Sequence, residues 1–153
     1  MSDKKRQDET VLRIEREFDA KPERVFAAWT SPGDLERWVW GSIGKDVAVE
    51  VDLRVGGRYR ASTARPDGEA WVMSGVYLEV SPPRRLVYTV EWTAPMGYEC
   101  PEERVTVDFV AAGAGTRMTF VHAGVPSPEA RGAHEEGWSN TFDALAGVLA
   151  AGP

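Results

Sequence analysis

Apolar positions near the end of the chain recur with the period of an α-helix. Between Ser127 and Ala150 they return at steps of three and four residues, through Ala133, Trp138 and Leu149. Acidic and amide residues fall mostly on the opposite face. The pattern predicts one long amphipathic helix whose apolar side another element must cover, although Arg131-Gly132 leaves open whether the helix is continuous.

Most of the remaining chain shows the alternation that is typical of strands. Residues 10–18 alternate apolar and charged side chains, and further alternating segments follow between residues 46 and 122. Short turns such as Gly113-Ala114-Gly115 join the later segments, which predicts an antiparallel meander of about six or seven strands. Two short helices are predicted after the first strand, one from Pro22 and one at Asp34–Trp38. Since strands and helices do not alternate, the predicted fold class is α+β.

Three residues stand out because they break these patterns. Gly75 interrupts the strand Ala70–Val80, which indicates a bulge, a bend or the close approach of another backbone. Gly137 costs the final helix about 1 kcal/mol relative to alanine, so we expect it to permit close helix–sheet contact. Arg16 lies on the inward side of the first strand, where it either reaches water at a sheet edge or places a cation inside a cavity.

Composition narrows the class of protein. The chain has 153 residues and fits a single domain, which we place at residues 10–150 after a disordered tail at 1–9. A net charge of −6 argues against nucleic acid as a partner, and the absence of a long apolar run argues against a membrane. The single cysteine, Cys100, and the polar start predict a cytoplasmic protein without an internal disulfide.

Residue types that carry catalysis or metal binding are few. The only histidines are His122 and His134, and their spacing with Cys100 does not indicate a metal site. Phosphate-loop and serine-nucleophile motifs are missing, so we predict no catalytic residue, metal or cofactor. The two histidines are placed to meet at one end of a cavity. There they would orient a ligand, act as acid and base, or simply be two ordinary hydrogen-bonded side chains.

Aromatic and methionine side chains collect on the predicted inward face. They would either line a cavity between the sheet and the final helix or fill that space completely. The segments Trp38–Gly41 and Ala94–Glu102 would form its mouth, with Met96, Tyr98 and Cys100 as a lid. The candidate ligand-binding residues are Trp38, Trp40, Tyr59, Trp71, Met73, Tyr88, Trp92, Met118, Phe120, His122, His134, Trp138 and Phe142.

An ordered set of motifs resembles a known superfamily. The segment Ala20–Thr30 is similar to the opening helix of the START-like, birch-pollen-allergen-like (SRPBCC, helix-grip) superfamily. Other motifs resemble its bacterial proteins similar to the activator of heat-shock-protein-90 ATPase, namely Gly56–Arg60, Pro66–Gly68, Gly75–Val80, Pro83–Thr89 and Gly137-Trp138. The resemblance covers about residues 10–150. It implies a curved antiparallel sheet that grips a long C-terminal helix, with a cavity between them.

The superfamily has no single function, because its members bind lipids and polyketides, cyclise rings, sequester drugs or activate chaperones. For this chain we favour non-catalytic binding of a hydrophobic or aromatic small molecule, since the inward set is aromatic and catalytic groups are missing. One alternative, implied by the resemblance, is a module that regulates a chaperone ATPase or binds another protein, a homodimer included. The other is a cyclase-like enzyme that uses His122 or Arg16.

Overall fold

The computed structural model of the chain describes residues 11–66, 68, 70–92, 103–124 and 128–151. These residues form seven strands, three α-helices and one 3-10 helix. In chain order the elements are β1 (Val11–Phe18), α1 (Pro22–Thr30), α2 (Pro32–Trp38), the 3-10 helix (Gly41–Ile43), β2 (Ala48–Val51), β3 (Arg58–Ala64), β4 (Ala70–Ser81), β5 (Arg85–Trp92), β6 (Glu103–Ala112), β7 (Gly115–Ala123) and α3 (Pro128–Ala151).

The strands form one antiparallel sheet in the order β1-β7-β6-β5-β4-β3-β2. Strands β2 to β7 are neighbours in the order in which the chain makes them, as a meander requires. The first strand returns to pair with β7, with Val11 opposite Ala123 and Phe18 opposite Thr116. The sheet curves around α3, and the two short helices follow the first strand. The predicted α+β class and its sheet-and-helix arrangement are therefore confirmed.

Strand alternation determines which side chains face α3. In β6 the buried positions are Glu103, Val105, Val107 and Phe109. Successive side chains of a strand point to opposite faces, so one apolar row of β6 enters the core with a single carboxylate at its start. The same rule gives β7 a buried row that ends at His122.

An aromatic cluster forms the centre of the core. The Trp29 ring lies 4.8 Å from Trp38 and 5.9 Å from Phe142, measured between centroids. Phe142 of α3 in turn meets Phe120 of β7 edge to face at 5.1 Å. Because edge-to-face and offset pairs are favourable arrangements, this cluster joins α1, the sheet and α3 into one apolar interior.

The structure resolves the three unusual positions. A Cβ on Gly75 would lie 1.9 Å from the Thr89 carbonyl oxygen, and the β4–β5 register shifts between Tyr77 and Glu79. The predicted close approach of another backbone at Gly75 is confirmed, whereas the bulge lies further along β4, between Tyr77 and Glu79. The prediction for Gly137 is wrong, because a Cβ there would meet no atom within 4 Å. Gly137 is exposed and borders open space, although its neighbour Trp138 is buried against the sheet.

Arg16 belongs to the edge strand and connects it to the final helix. Its Nη1 donates to Asp143 Oδ1 at 2.8 Å and its Nη2 donates to the Ser139 carbonyl oxygen at 3.0 Å. Helix α3 runs without interruption from Pro128 to Ala151, so the Arg131-Gly132 pair does not break it. Within the described residues, none of the helices combines the length and the apolar character that crossing a bilayer requires.

The close approach at Gly75 predicts a large cost for one methyl group. Gly75→Ala is expected to lower the free energy of unfolding by about 1–3 kcal/mol, because the added carbon collides with backbone rather than with a movable side chain. Gly132→Ala is the control, since its Cβ meets nothing within 4 Å and helix propensity should stabilise it by up to about 1 kcal/mol. Urea unfolding measures both. Equal stability of the two variants would contradict the close approach of the Thr89 carbonyl to Gly75.

Candidate ligand-binding cleft

The deepest part of the interior is filled. Trp38, Tyr59, Tyr88 and their neighbours surround a space of only about 30 Å³, which is about the room that one water molecule occupies. The Trp38 indole N–H donates to the Ala28 carbonyl oxygen at 2.9 Å, and the Tyr59 hydroxyl donates to the Thr89 carbonyl oxygen at 2.6 Å. Burial raises the pKa of the Tyr59 hydroxyl well above its usual value. This region is packed core and holds no ligand-sized cavity.

A larger cleft of about 450 Å³ lies at one end of the interior, between the 3-10 helix, β4, β5 and α3. This volume falls in the range of about 300–1,000 Å³ that small-molecule sites occupy. Its apolar walls are mostly indole rings. The lining residues are Val39, Trp40, Ser42, Ile43, Trp71, Met73, Trp92, Ala133, His134, Glu136, Gly137, Trp138, Asn140 and Thr141.

One wall of the cleft is fixed by a contact between segments distant in sequence. Gly41 has φ +59°, and a Cβ on it would lie 2.4 Å from Asn140 Oδ1. That oxygen accepts hydrogen bonds from the Ser42 backbone N–H at 3.0 Å and the Ser42 hydroxyl at 3.1 Å. The 3-10 helix is thereby held against α3, with neighbouring Trp40 packed edge to face on Trp92 at 6.2 Å.

A buried chain of hydrogen bonds lies behind the cleft. His122 Nε2 is bonded to Glu103 Oε1, and the Trp138 indole N–H donates to His122 Nδ1 at 3.0 Å. An indole nitrogen can only donate, so Nδ1 must be the acceptor and Nε2 carries the proton toward Glu103. His122 is therefore neutral in this arrangement. Glu103 and His122 are completely buried, and Glu103 Oε2 has no hydrogen-bond partner among the described residues.

His134 connects this buried chain to the cleft. Its Nε2 lies 3.7 Å from Glu103 Oε1, and its ring centroid lies 4.9 Å from that of His122. Burial and, to a smaller extent, the neighbouring His122 lower the pKa of His134 from 6.5 to about 4, although Glu103 acts in the opposite direction. His134 is consequently neutral at pH 7. It is the one member of the three that lines the cleft.

Glu103, His122 and His134 have the composition of a metal site, with ligand atoms within 4.8 Å of one another. A metal-binding imidazole normally donates its second N–H to an acceptor. His122 instead presents its Nδ1 to a donor, the Trp138 indole N–H, so its Nε2 keeps the proton and is not available as a ligand. The donor set fits a hydrogen-bond chain better than a metal centre.

The structure divides the predicted site residues into three groups. Those that line the cleft are Trp40, Trp71, Met73, Trp92, His134 and Trp138. Those that border the small inner space and not the cleft are Trp38, Tyr59 and Tyr88. The remaining four, Met118, Phe120, His122 and Phe142, are completely buried and line neither space. The proposed lid of Met96, Tyr98 and Cys100, with the loop Ala94–Glu102, lies outside the described residues.

Sequence reasoning missed three residues of this region. Glu103 shares strand parity with Val105 and Val107, so extending that strand by one alternation would have indicated a buried carboxylate. The contact between Ser42 and Asn140 spans 98 positions and carries no local signal. Only the folded chain brings these two polar residues together at the rim of the cleft.

Comparison with known proteins agrees with this architecture. Residues 19–150 match the family model of activator of Hsp90 ATPase homolog 1-like proteins. The chain belongs to this family. The resemblance to the helix-grip superfamily is thereby confirmed, and a fold of this kind fits a ligand-binding or regulatory module. No curated protein matches the sequence.

Solved structures of several bacterial proteins are similar to this chain. CV1439 from Chromobacterium violaceum is 27% identical with a TM-score of 0.76, over 91% of this chain and 96% of that one. NE0264 from Nitrosomonas europaea is 26% identical with a TM-score of 0.75, over 95% and 97%. SA2116 from Staphylococcus aureus, of unknown function, shares the fold at 22% identity, with a TM-score of 0.80 over 92% and 93%.

The lowered pKa of His134 predicts how stability depends on pH. The unfolded chain takes up a proton at this residue as the pH falls through about 6.5, whereas the folded protein does so only near 4. The stability that His134 contributes is therefore complete above about pH 6.5 and is lost toward pH 4. Between pH 7.5 and 4.5, wild type should lose roughly 2 kcal/mol more than His134→Gln in urea unfolding. Equal losses would contradict the assignment.

The buried chain predicts strong coupling between two side chains. His122→Leu should cost about 3–5 kcal/mol, because it leaves the Glu103 carboxylate buried without its donor. Replacing both residues by leucine removes that charge, so the double variant should be less destabilised than the sum of the single variants. Urea unfolding of both single variants and the double variant measures this coupling. Additive losses would show that Glu103 and His122 do not act as a pair.

Proposed function

We propose that this protein binds a hydrophobic, aromatic small molecule in the cleft, without catalysing a reaction. The observation that carries this proposal is the contrast between the filled inner core and the open cleft of about 450 Å³. Trp40, Trp71, Trp92 and Trp138 supply broad flat surfaces, and Met73 supplies an adaptable one. Such walls suit a rigid ring system more than a flexible chain.

A few polar groups at the cleft are suited to orienting the ligand. His134, Ser42, Asn140 and Thr141 line it among otherwise mostly apolar neighbours, which is the usual division of roles in small-molecule sites. Ser42 and Asn140 already bond to each other, so that part of the wall is formed before a ligand arrives. A preformed wall reduces the entropy that binding must remove.

The cyclase-like alternative receives little support from the geometry. Both ring nitrogens of His122 are engaged, one by Glu103 and one by Trp138, so neither is available as a general base. Arg16 binds Asp143 and the Ser139 carbonyl at the sheet edge and does not line the cleft. We therefore assign no catalytic residue.

A protein-binding role is the second candidate. The family is named for activation of a chaperone ATPase, and this chain exposes Leu53, Val55 and Leu78 by 40%, 64% and 40%. Hydrogen bonds of Gly56 and Gly57 to Tyr77 hold the loop that carries Leu53 and Val55 beside this part of β4. Val55→Asp should abolish stimulation of the host chaperone ATPase if this surface binds it. Wild-type protein without any effect on the ATPase would refute the candidate.

The open space at Gly137 provides a test of the proposed site. Gly137→Leu should fill part of the cleft and weaken ligand binding at least about tenfold, because the ring system and the new side chain compete for one volume. Gly147→Leu is the matched control, since Gly147 is an equally exposed glycine of the same helix whose Cβ also meets nothing but which does not line the cleft. Thermal stabilisation and tryptophan fluorescence across a panel of aromatic compounds measure binding. If no compound of the panel stabilises wild type or the Gly147→Leu control, the proposal is refuted.

A further inference from the structure

The charge of the cleft bears on which ligand it takes, provided that the proposed binding function holds. Among the described residues that line it, Glu136 is the only charged side chain, and no lysine or arginine is present. His134 adds no charge at pH 7 because its pKa is lowered to about 4. Glu103 lies directly behind His134, with its Oε1 3.7 Å from His134 Nε2. The lining therefore contributes one carboxylate and no cation, while outside the lining Glu103 lies behind His134 and Arg65 lies over the Trp71 ring.

The indole rings that line the cleft also favour a positively charged ligand. The face of an aromatic ring carries negative electrostatic potential, and indole attracts cations more strongly than other aromatic side chains do. Trp40, Trp71 and Trp92 are only partly buried, so these rings are accessible from the cleft side of the protein. Arg65 gives an example within the fold, because its guanidinium carbon lies 3.9 Å from the centroid of the Trp71 ring.

We infer that the cleft selects a planar aromatic cation over neutral and anionic molecules of the same shape. A delocalised positive charge on a ring nitrogen would stack against indole faces while facing Glu136. An anion of equal size would meet the same ring faces and the same carboxylate, without a lysine or arginine in the lining to compensate. Flat walls favour a fused ring over a compact alkylammonium group, which would leave much of the volume empty.

Three acridines of nearly equal shape test this selectivity. N-methylacridinium is a cation, acridine is neutral and acridine-9-carboxylate is an anion at about pH 8, where His134 is also neutral. Calorimetric titration at low salt should give affinities in that order, with the cation bound about tenfold more tightly than neutral acridine. Gly137→Leu should weaken binding of all three at least about tenfold, which locates the site.

Variants that each remove one charge distinguish the electrostatic potential inside the cleft from the effect of the protein's overall negative charge. Glu136→Gln should weaken N-methylacridinium binding a few-fold and strengthen binding of the carboxylate. Glu135→Gln removes the same charge from an exposed neighbour that does not line the cleft, so it should change neither affinity appreciably. Arg65→Gln should strengthen cation binding, because it removes a like charge from Trp71.

The outcomes distinguish the inference from the function on which it rests. Equal affinities for the three compounds, or tightest binding of the anion, would overturn the charge selectivity and leave aromatic binding intact. If Glu135→Gln changed the affinities as much as Glu136→Gln, the inferred charge selectivity would also be overturned, since it would then come from the protein's overall charge and not from the cleft. Affinities that Gly137→Leu leaves unchanged, or no binding of any acridine, would overturn both.

Discussion

The hydrogen-bond chain from Glu103 through His122 to Trp138 is the constraint on which the candidate site depends. It joins β6, β7 and α3 inside an interior that is mostly apolar. The direction of both hydrogen bonds is fixed, because the Trp138 indole can only donate and the Glu103 carboxylate must accept. The chain therefore fixes the orientation of the Trp138 ring, which also packs on Phe142 at 5.8 Å. Trp138 in turn forms the boundary between the filled core and the cleft.

The cleft exists because particular side chains are small or absent. Gly137 leaves open space on the face of α3 that borders it, and Gly41 permits the 3-10 helix to approach Asn140. A larger residue at the first position would occupy the cleft, and one at the second would push its wall away. Helix α3 thus buries Phe142 completely in the core and leaves Gly137 exposed at the cleft. The function proposed for the protein follows from this difference along a single helix.

Periodicity was sufficient to predict most of the fold. The three- and four-residue steps through Trp138 and Leu149 predicted the final helix, and strand alternation predicted the meander and the inward row ending at His122. These signals are local, and burial of one face makes them regular. Gly75 was also interpretable, because a glycine inside a strand has few physical explanations.

The site was less predictable because it depends on distances across the fold. Strand alternation correctly directed Phe120 inward and helical periodicity did the same for Phe142, but neither pattern distinguishes a core position from a cavity wall. Glu103 was missed although its parity was visible, and the pair of Ser42 with Asn140 has no signature in sequence. The prediction of a close contact at Gly137 was wrong, since a helical glycine can border either a close contact or an open space.

Indole N–H resonances of the six tryptophans would test the account most directly. Titration with a bound aromatic compound should shift the signals of Trp40, Trp71, Trp92 and Trp138, which line the cleft. The signals of Trp29 and Trp38, buried in the filled core, should stay unchanged. Shifts confined to Trp29 and Trp38 would contradict the division of the interior into a packed core and an open binding cleft.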